Sequence, residues 1–321
     1  MDRHVDRGQS AEKKSRPSLI ERAATRLEDA AVNGTGPEPS RPPPAGQQPP
    51  PPTGQEAPSP RQEPPRRESP RRQEAPRRPY ARKAPLEIDF EGLRHLGYLT
   101  PETMQSHLAE EMRLIKRTVL HRFREQAAPR SNMIMVSSAE PGAGKSFVAL
   151  NLAMSLAAEV DLHALLIDGD CWQPEILKRL GVSTDTGLLD ALADPDMDVG
   201  EIIHRTNVER LSVIGAGQRR QLTSELLSSE RMRRVADELA QRYPDRLIIF
   251  DTSPLLAAAE SAVVGELVGQ TLIVVEADRT DRSSLDQALD LLPESPEPSL
   301  VLNKGKARAG ANQLYYHRYY K

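Results

Sequence analysis

A phosphate-binding loop is the clearest chemical signal in this chain of 321 residues. The stretch AEPGAGKS follows an apolar run that ends in Ser137 and Ser138, and it precedes the helix-like KSFVALNLAMSLAAEV. It matches G-x-x-x-x-G-K-[ST] with alanine in the first place, and its glycines would let backbone N–H groups converge on phosphate oxygens. We therefore predict a nucleotide site, in preference to a plain glycine-rich turn, at Ala139, Glu140, Pro141, Gly142, Ala143, Gly144, Lys145, Ser146 and Phe147.

Two side chains of this loop have chemical roles in such sites. Lys145 is expected to reach the β- and γ-phosphates of ATP, and the Ser146 hydroxyl to ligate Mg²⁺.

Asp251 ends the apolar run RLIIFD, where a buried carboxylate is costly unless it meets a cation. We assign Asp251 the Walker B role and predict that Ser146, Asp168 and Asp251 hold the metal.

A second acidic pair ends another apolar run, HALLIDGD. If strand geometry persists, the i, i+2 spacing of Asp168 and Asp170 sends both carboxylates the same way. The alternative is that either residue is a helix N-cap or a turn aspartate, Asp170 above all because Pro174 follows it. Together these residues predict Mg·ATP chemistry carried by Lys145, Asp168, Asp170 and Asp251.

The apolar runs also predict the fold. They lie at 132–138, 163–170 and, further on, in LSVIGAG, RLIIFD, TLIVVEA and PSLVLN, and helix-like stretches such as SELLSSERMRRVADELAQRY separate them. Strands that are apolar throughout belong to a sheet covered on both faces, and their alternation with helices predicts an α/β fold with a doubly wound, mostly parallel sheet of the P-loop NTPase type. Ligands of such sheets bind at the carboxyl ends of the strands.

Two further residues are assigned from their place next to these elements. Thr100 and Pro101 are expected to start a helix whose apolar stripe begins at Met104 and ends at Val119. Asn303 closes the last strand, where it could touch the nucleotide base or simply be a buried turn asparagine.

The first 85 residues have a different composition. They contain 18 of the 28 prolines and one aromatic residue, Tyr80, so they cannot bury enough apolar surface to offset backbone ordering. We predict disorder over 1–85 with a short amphipathic helix at 18–32, a folded P-loop domain over 86–310 and a flexible, tyrosine-rich tail over 311–321. The first segment carries 17 Lys/Arg against 11 Asp/Glu, which leaves 26 against 35 for the rest.

That charge balance bears on partners and on location. A globular part with a net charge of −9 is not a general nucleic-acid binder. The arginine pairs between Arg61 and Lys83 could dock on an anionic membrane or acidic partner, although a soluble spacer also explains them. A single cysteine, Cys171, fits a reducing compartment, and the sequence has neither an apolar run of spanning length nor a signal peptide, so we expect a cytoplasmic protein.

The end of the chain is rich in tyrosine. Four of the seven tyrosines lie in the last seven positions, at Tyr315, Tyr316, Tyr319 and Tyr320. An exposed, mobile terminus suits a phosphate acceptor that must enter a neighbour's site. The alternative is an aromatic end that packs on the domain.

Taken together, the phosphate loop, the IDGD and FDTSP strand ends and the tyrosine-rich tail resemble the bacterial tyrosine autokinases of capsule and exopolysaccharide synthesis. The resemblance extends from about Leu96 to the end and is nearest to the exosortase-associated forms. It implies ATP- and Mg²⁺-dependent phosphorylation of the tail tyrosines in trans within a ring of subunits. It also implies activation by a membrane polysaccharide co-polymerase that would hold the chain at the inner membrane, and thereby regulation of exopolysaccharide polymerisation and export.

Two positions depart from the family's motifs. The ring-assembly motif E-x-x-R-x-x-R corresponds to Glu110, Arg113 and Lys116, and lysine cannot reproduce a bidentate guanidinium contact. Glu110 and Arg113 could equally be a solvent-exposed i, i+3 pair. The second acidic motif, D-x-D-x-R, has Trp172 in the arginine position.

Two other functions remain open from the sequence. A partitioning or septum-positioning ATPase (ParA/MinD-like) shares the fold, but it would carry a lysine where this chain has Glu140, and it has no use for paired tyrosines. A non-enzymatic, ATP-binding assembly regulator of the polysaccharide machinery is the other alternative.

Overall fold

The computed structural model describes residues 83–125, 130–294 and 297–305. The expected helix at 18–32, nearly all of the proline-rich segment and the tyrosine-rich tail lie outside these residues. Within them, the chain forms one seven-stranded sheet in the order β3-β4-β2-β5-β1-β6-β7. The strands are β1 Met133–Ser138, β2 His163–Asp168, β3 His204–Arg205, β4 Leu211–Ile214, β5 Arg246–Asp251, β6 Gln270–Glu276 and β7 Ser299–Asn303.

Every strand pairing is parallel except that of β3 with β4. The three central strands are almost wholly buried, which explains their unbroken apolar sequences. In β1, Met133 and Met135 pack in one core cluster, whereas Ile134 and Val136 pack in the other. The predicted doubly wound sheet with helices on both faces is confirmed.

Nine α-helices cover the sheet within the described residues. They are α1 Phe90–His95, α2 His107–Glu125, α3 Lys145–Ala157, α4 Ile176–Leu180, α5 Leu188–Ala193, α6 Thr223–Leu227, α7 Glu230–Arg242, α8 Glu260–Leu267 and α9 Arg282–Asp290. The core on one face contains residues of α1 to α4, and the core on the other contains residues of α5 to α9. None of the helices in the described ranges has the length and apolarity needed to cross a membrane.

Two expected helices are divided differently by the structure. The prediction that a helix starts at Pro101 is wrong, because Thr100 and Thr103 close a short 3₁₀ turn and Ser106 then caps α2 by accepting from the N–H of Ala109 at 3.3 Å. The stretch after Thr223 contains two helices instead of one. The first ends at Leu227 with Ser228 as its C-cap, and Ser229 caps the second by accepting from the N–H of Met232 at 3.3 Å.

The antiparallel edge strand β3 was not predicted. Its two residues are too short a run to show a period, and it forms because it pairs with β4. Leu86 makes a bridge with Thr206, just beyond β3, so the start of the described chain is tied to this edge of the sheet. The short helices α1, α4 and α5 were also missed, since five or six residues carry little periodic signal.

Candidate functional site

The phosphate loop lies between β1 and α3, at the carboxyl end of β1. Gly142 and Gly144 both have left-handed backbones, with φ of 90° and 99°. Gly144 caps α3, and a Cβ atom there would lie 2.1 Å from the side-chain nitrogen of Asn303. The left-handed conformation favours glycine at this position, and any larger residue would also require the Asn303 side chain to shift. The loop directs the N-terminus of a 13-residue helix towards the cleft, which is the arrangement that binds phosphate.

Lys145 points into the acidic cluster at the strand ends. Its ammonium lies 2.8 Å from Oδ2 of Asp170 and 4.0 Å from Oδ1 of Asp251. Burial alone would lower the pKa of Lys145, but the carboxylates of Asp251 and Asp170 outweigh burial and raise it. The same contact with Lys145 keeps the pKa of Asp170 below its ordinary value, despite the opposing effect of burial. Lys145 and Asp170 therefore form a charged pair beside the phosphate loop.

Asp168 and Asp251 occupy the same level of neighbouring strands, where they are paired in register at the ends of β2 and β5. Both are fully buried, with exposures of 1% and 0%. Within the described chain, Oδ1 of Asp168 and both carboxylate oxygens of Asp251 have no hydrogen-bond partner. Burial raises the pKa of Asp168 to about 8, with Asp251 adding to the effect, and burial raises that of Asp251 to about 6 against the attraction of Lys145.

Such unsatisfied buried oxygens fit a divalent cation. Groups of three or more histidine, cysteine and acidic side chains arranged to hold a metal by themselves are absent from the described residues. Mg²⁺ needs no such cage, because it is commonly bound by one or two carboxylates together with substrate phosphates. Ser146, Asp168 and Asp251 are therefore suited to hold Mg²⁺ when a nucleotide supplies the remaining oxygens.

The turn role weighed for the IDGD aspartates is present in the structure, and the chemical role stays a prediction. Oδ2 of Asp168 accepts from the N–H of Ile176 at 3.0 Å, and Oδ1 of Asp170 accepts from the N–H of Gln173 at 3.1 Å. Each carboxylate thus fixes the following backbone with one oxygen and has its other oxygen available to a cation. The turn role and the chemical role do not exclude each other.

Asn303 and its neighbour hold the phosphate loop from the far side. The Asn303 amide donates to the carbonyl of Ala143 at 2.8 Å, and Lys304 donates to that of Gly142 at 2.7 Å. These bonds link the end of β7 to the loop, and both side chains also line the cleft described next. No local pattern indicates a role for Lys304, since its contact depends on the packing of β7 beside β6.

The loop opens on a cleft of about 1070 Å³. Phe147 lies on one wall, where its ring packs on that of Tyr98 with the centroids 5.0 Å apart. The Tyr98 hydroxyl accepts from Arg179 at 2.7 Å, and Ser253 donates to Oδ1 of Asp170 at 2.7 Å. Sequence reasoning missed Tyr98, Arg179 and Ser253, although Ser253 follows Asp251 so closely that the FDTSP motif could have indicated it.

The remaining positions assigned from the sequence differ in their surroundings. Glu140 accepts from the Ser284 hydroxyl at 3.0 Å, so it helps to dock α9 on the loop. Cys171 is buried, and burial raises the pKa of its thiol to about 12. Trp172 stands at the mouth of the cleft with 41% of its surface exposed.

The three residues of the expected assembly motif all lie on α2. Arg113 pairs with Glu110, as in the simpler interpretation of an i, i+3 pair. Lys116 turns inwards, where it pairs with Glu159 and donates to the carbonyl of Ser155 at 3.1 Å. Its side chain is only 12% exposed, so Lys116 attaches α2 to the C-terminal end of α3 within the same chain.

Comparison with known proteins places this site in a family. The chain is 30% identical to the kinase domain of the Escherichia coli tyrosine kinase ETK, with a TM-score of 0.57, and the match covers 66% of this chain and 83% of that domain. The chain belongs to the bacterial tyrosine kinases. It is also 30% identical over 174 residues to the tyrosine-protein kinase ptk of Acinetobacter johnsonii, and 29% identical over 185 residues to the tyrosine-protein kinase YwqD of Bacillus subtilis.

The extent of these matches differs between the relatives. They cover 54% and 57% of this chain, and 23% and 76% of the Acinetobacter and Bacillus proteins respectively. The chain thus spans less than a quarter of the length of the Acinetobacter kinase. No family model matches the sequence. The fold is that of a P-loop nucleotide-binding protein, with the phosphate loop and the acidic strand ends in the places predicted for them.

Proposed function

We propose that the chain is an ATP-dependent protein-tyrosine kinase that phosphorylates Tyr315, Tyr316, Tyr319 and Tyr320 of a second copy. The observation that supports this most is the contact of Lys145 with Asp170 beside the unsatisfied carboxylates of Asp168 and Asp251. A site with a lysine and three acidic groups is suited to hold a metal-bound triphosphate and an incoming hydroxyl at the same time.

Each residue has a role that follows from its position. The backbone N–H groups of the loop and the N-terminus of α3 bind the phosphates. Lys145, which now neutralises Asp170, would move to the β- and γ-phosphates and stabilise the charge that develops there. Bound Mg²⁺, held by Ser146, Asp168 and Asp251, would neutralise further charge on the transferred group.

The transfer itself forms a bond between the tyrosine oxygen and the γ-phosphorus and breaks the bond to the β-phosphate oxygen, which leaves as ADP. The phenolic proton must go to a base, and a phenol with a pKa of about 10 gives it up late. Asp170 lines the cleft, and its Oδ2 becomes free to accept this proton when Lys145 moves to the phosphates, so we assign it this role. Ser253 orients the carboxylate through its hydrogen bond to Oδ1.

Incubation of the full chain with ATP and Mg²⁺, followed by detection of phosphotyrosine, tests this function. The wild-type chain should become phosphorylated, whereas Lys145→Met should not. A chain in which all four tail tyrosines are Phe should hydrolyse ATP without acquiring phosphotyrosine. Brisk phosphate release with no phosphotyrosine in the wild type would instead favour the partitioning-type ATPase.

The cellular role is a separate part of the proposal. The motif resemblance supports regulation of exopolysaccharide polymerisation and export, with a membrane co-polymerase as the activator, in a ring to which Glu110 and Arg113 contribute. If polysaccharide output survives both Lys145→Met and the four Phe substitutions and falls only when assembly is disrupted, the chain is an assembly regulator and the kinase role is refuted.

A further inference from the structure

Trp172 is a side chain that the proposed chemistry leaves without a role. It is the only tryptophan of the chain, it lines the cleft two residues after Asp170, and 41% of its surface is exposed. The guanidinium carbon of Arg219 lies 4.2 Å from the centroid of its ring. A guanidinium stacked on the ring favours this orientation of the indole, which leaves the exposed part of the ring as an aromatic surface in the cleft.

The backbone under Trp172 is fixed relative to the reacting groups. Oδ1 of Asp170 accepts from the N–H of Gln173 at 3.1 Å and from the hydroxyl of Ser253 at 2.7 Å. The other oxygen of Asp170 contacts Lys145. One carboxylate thus connects the turn that carries the indole to the phosphate loop.

The two neighbours of Arg219 in the chain both contact Asp190 on α5. Oδ2 of Asp190 accepts from the N–H of Gln218 at 3.2 Å, and Oδ1 pairs with the guanidinium of Arg220 at 3.3 Å. Both neighbours of Arg219 are therefore attached to one carboxylate that is 7% exposed. Gly187 allows this close approach, because a Cβ atom there would lie 2.2 Å from the carbonyl oxygen of Gly215.

The position of Trp172 in the cleft indicates what it meets. Asn303 and Lys304 contact the carbonyls of Ala143 and Gly142 at one end of the phosphate loop, four strands away from β2 in the sheet. Trp172 lines the same cleft two residues after Asp170, whose carboxylate contacts Lys145. The terminal phosphate of a bound nucleotide belongs at Lys145, so an indole on this turn is near the acceptor side of the transfer.

Building on the proposed kinase function, we propose that Trp172, held by Arg219, is the docking surface for the acceptor tyrosine, and that its occupant is the segment 313–321 of a second copy. That segment contains four phenol rings, which can stack in an offset arrangement on the exposed indole. Its basic residues His317, Arg318 and Lys321 also complement Glu260, which lines the cleft and has no ion pair among the described residues, whereas Asp170 and Glu175 already pair with Lys145 and Arg179. Trp172 is then a binding residue and Arg219 a positioning residue.

Steady-state kinetics with a tagged peptide of sequence QLYYHRYYK test this assignment. With the full chain and saturating Mg·ATP, Trp172→Ala should raise the KM for the peptide about 2- to 12-fold. This is the loss of affinity expected when one aromatic pair is removed. Trp172→Phe should restore most of the affinity because it keeps a ring. Arg219→Ala should raise the KM for the peptide less than Trp172→Ala does, since the ring remains but is no longer held.

A matched control comes from the other end of the molecule. The guanidinium carbon of Arg246 lies 4.2 Å from the centroid of the Tyr243 ring, the same distance as in the pair of Arg219 and Trp172. Arg246 begins β5, and Asp251 lies at the other end of that strand. Tyr243→Ala should leave the KM for the peptide as it is. The proposal is refuted if Trp172→Ala leaves the peptide KM unchanged, if Trp172→Phe behaves like Trp172→Ala, or if Trp172→Ala raises the KM for ATP instead.

Failure of the kinase function would look different, because the wild-type chain would then form no phosphotyrosine. The docking surface can still be tested in that event through the fluorescence of the single tryptophan. In a full chain with all four tail tyrosines changed to Ala, addition of QLYYHRYYK with a non-hydrolysable ATP analogue should shift the emission saturably. A flat titration, or an equal shift with a peptide in which every tyrosine is alanine, contradicts the proposal.

Discussion

Replacement of Asp168 by asparagine should stabilise the nucleotide-free protein at neutral pH and remove much of its pH dependence. Burial raises the pKa of this carboxyl from an ordinary 3.8 to about 8, so the folded protein keeps its proton while the unfolded chain loses it. The native state then binds more protons than the unfolded state, and stability falls as pH rises through this interval. Asparagine retains an acceptor for the N–H of Ile176 but has no proton to lose.

The magnitude follows from the two pKa values. Between about pH 5 and 7 one proton separates the two states, and this gives a slope of about 1.4 kcal/mol per pH unit, or roughly 2.7 kcal/mol over the interval. The pKa of Asp251 is raised to about 6, so this residue also makes the free energy of unfolding fall as pH rises, up to about that pH. The lowered pKa of Asp170 acts only in more acidic solution, where stability is lost as pH falls.

Urea unfolding followed by far-UV circular dichroism, without Mg²⁺ or nucleotide, measures these slopes. Asp168→Asn should flatten the slope by about 1.4 kcal/mol per pH unit and be more stable than wild type at pH 7. Asp161→Asn is the matched control, since this exposed residue precedes the same strand that Asp168 ends. The reasoning is refuted if Asp168→Asn keeps the wild-type slope or is less stable than wild type at pH 7.

Three further substitutions or reagents probe the site and its support. Gly144→Ala should weaken nucleotide binding through about 1–3 kcal/mol of backbone strain and through a clash with Asn303. Adding Asn303→Ala to this variant should restore only the affinity lost to the clash, and titration calorimetry measures both affinities. Asn151→Ala should lower the free energy of unfolding in urea by about 1–3 kcal/mol, because it leaves the buried N–H of Leu99 without its 2.7 Å acceptor; an unchanged midpoint would contradict this. Cys171, buried and with its pKa raised to about 12, should react with a thiol reagent only after unfolding, as measured by mass, and labelling of the native chain would show that the site opens.

The strands and the phosphate site could be predicted because their signals are local. An unbroken apolar run ending in a carboxylate at Asp168 or Asp251 places that carboxylate at the edge of a covered sheet without further information. The phosphate loop is recognisable for the same reason, since the strand, the loop and the helix that form it are continuous in sequence.

Contacts between distant segments could not be predicted. Arg219 meets Trp172 only because α5 anchors the loop after β4 beside the turn after β2, and nothing in either segment indicates the other. Lys116 is a comparable case, because its turn towards Ser155 follows from the packing of α2 on α3. The prediction of where α2 begins failed for a local reason. Thr100 and Ser106 lie within seven residues of each other and can both act as helix caps, and Ser106 is the one that caps α2.

The most direct test of transfer between subunits is a mixing experiment with mass-spectrometric mapping of phosphotyrosine. Lys145→Met supplies an inactive site with an intact tail, and a wild-type site is supplied by a chain whose four tail tyrosines are Phe. With Mg·ATP, neither chain alone should acquire phosphotyrosine, and the mixture should acquire it on Tyr315, Tyr316, Tyr319 or Tyr320 of the Lys145→Met chain. No phosphotyrosine in the mixture, or phosphotyrosine confined to Tyr80, Tyr98 or Tyr243, would contradict the account.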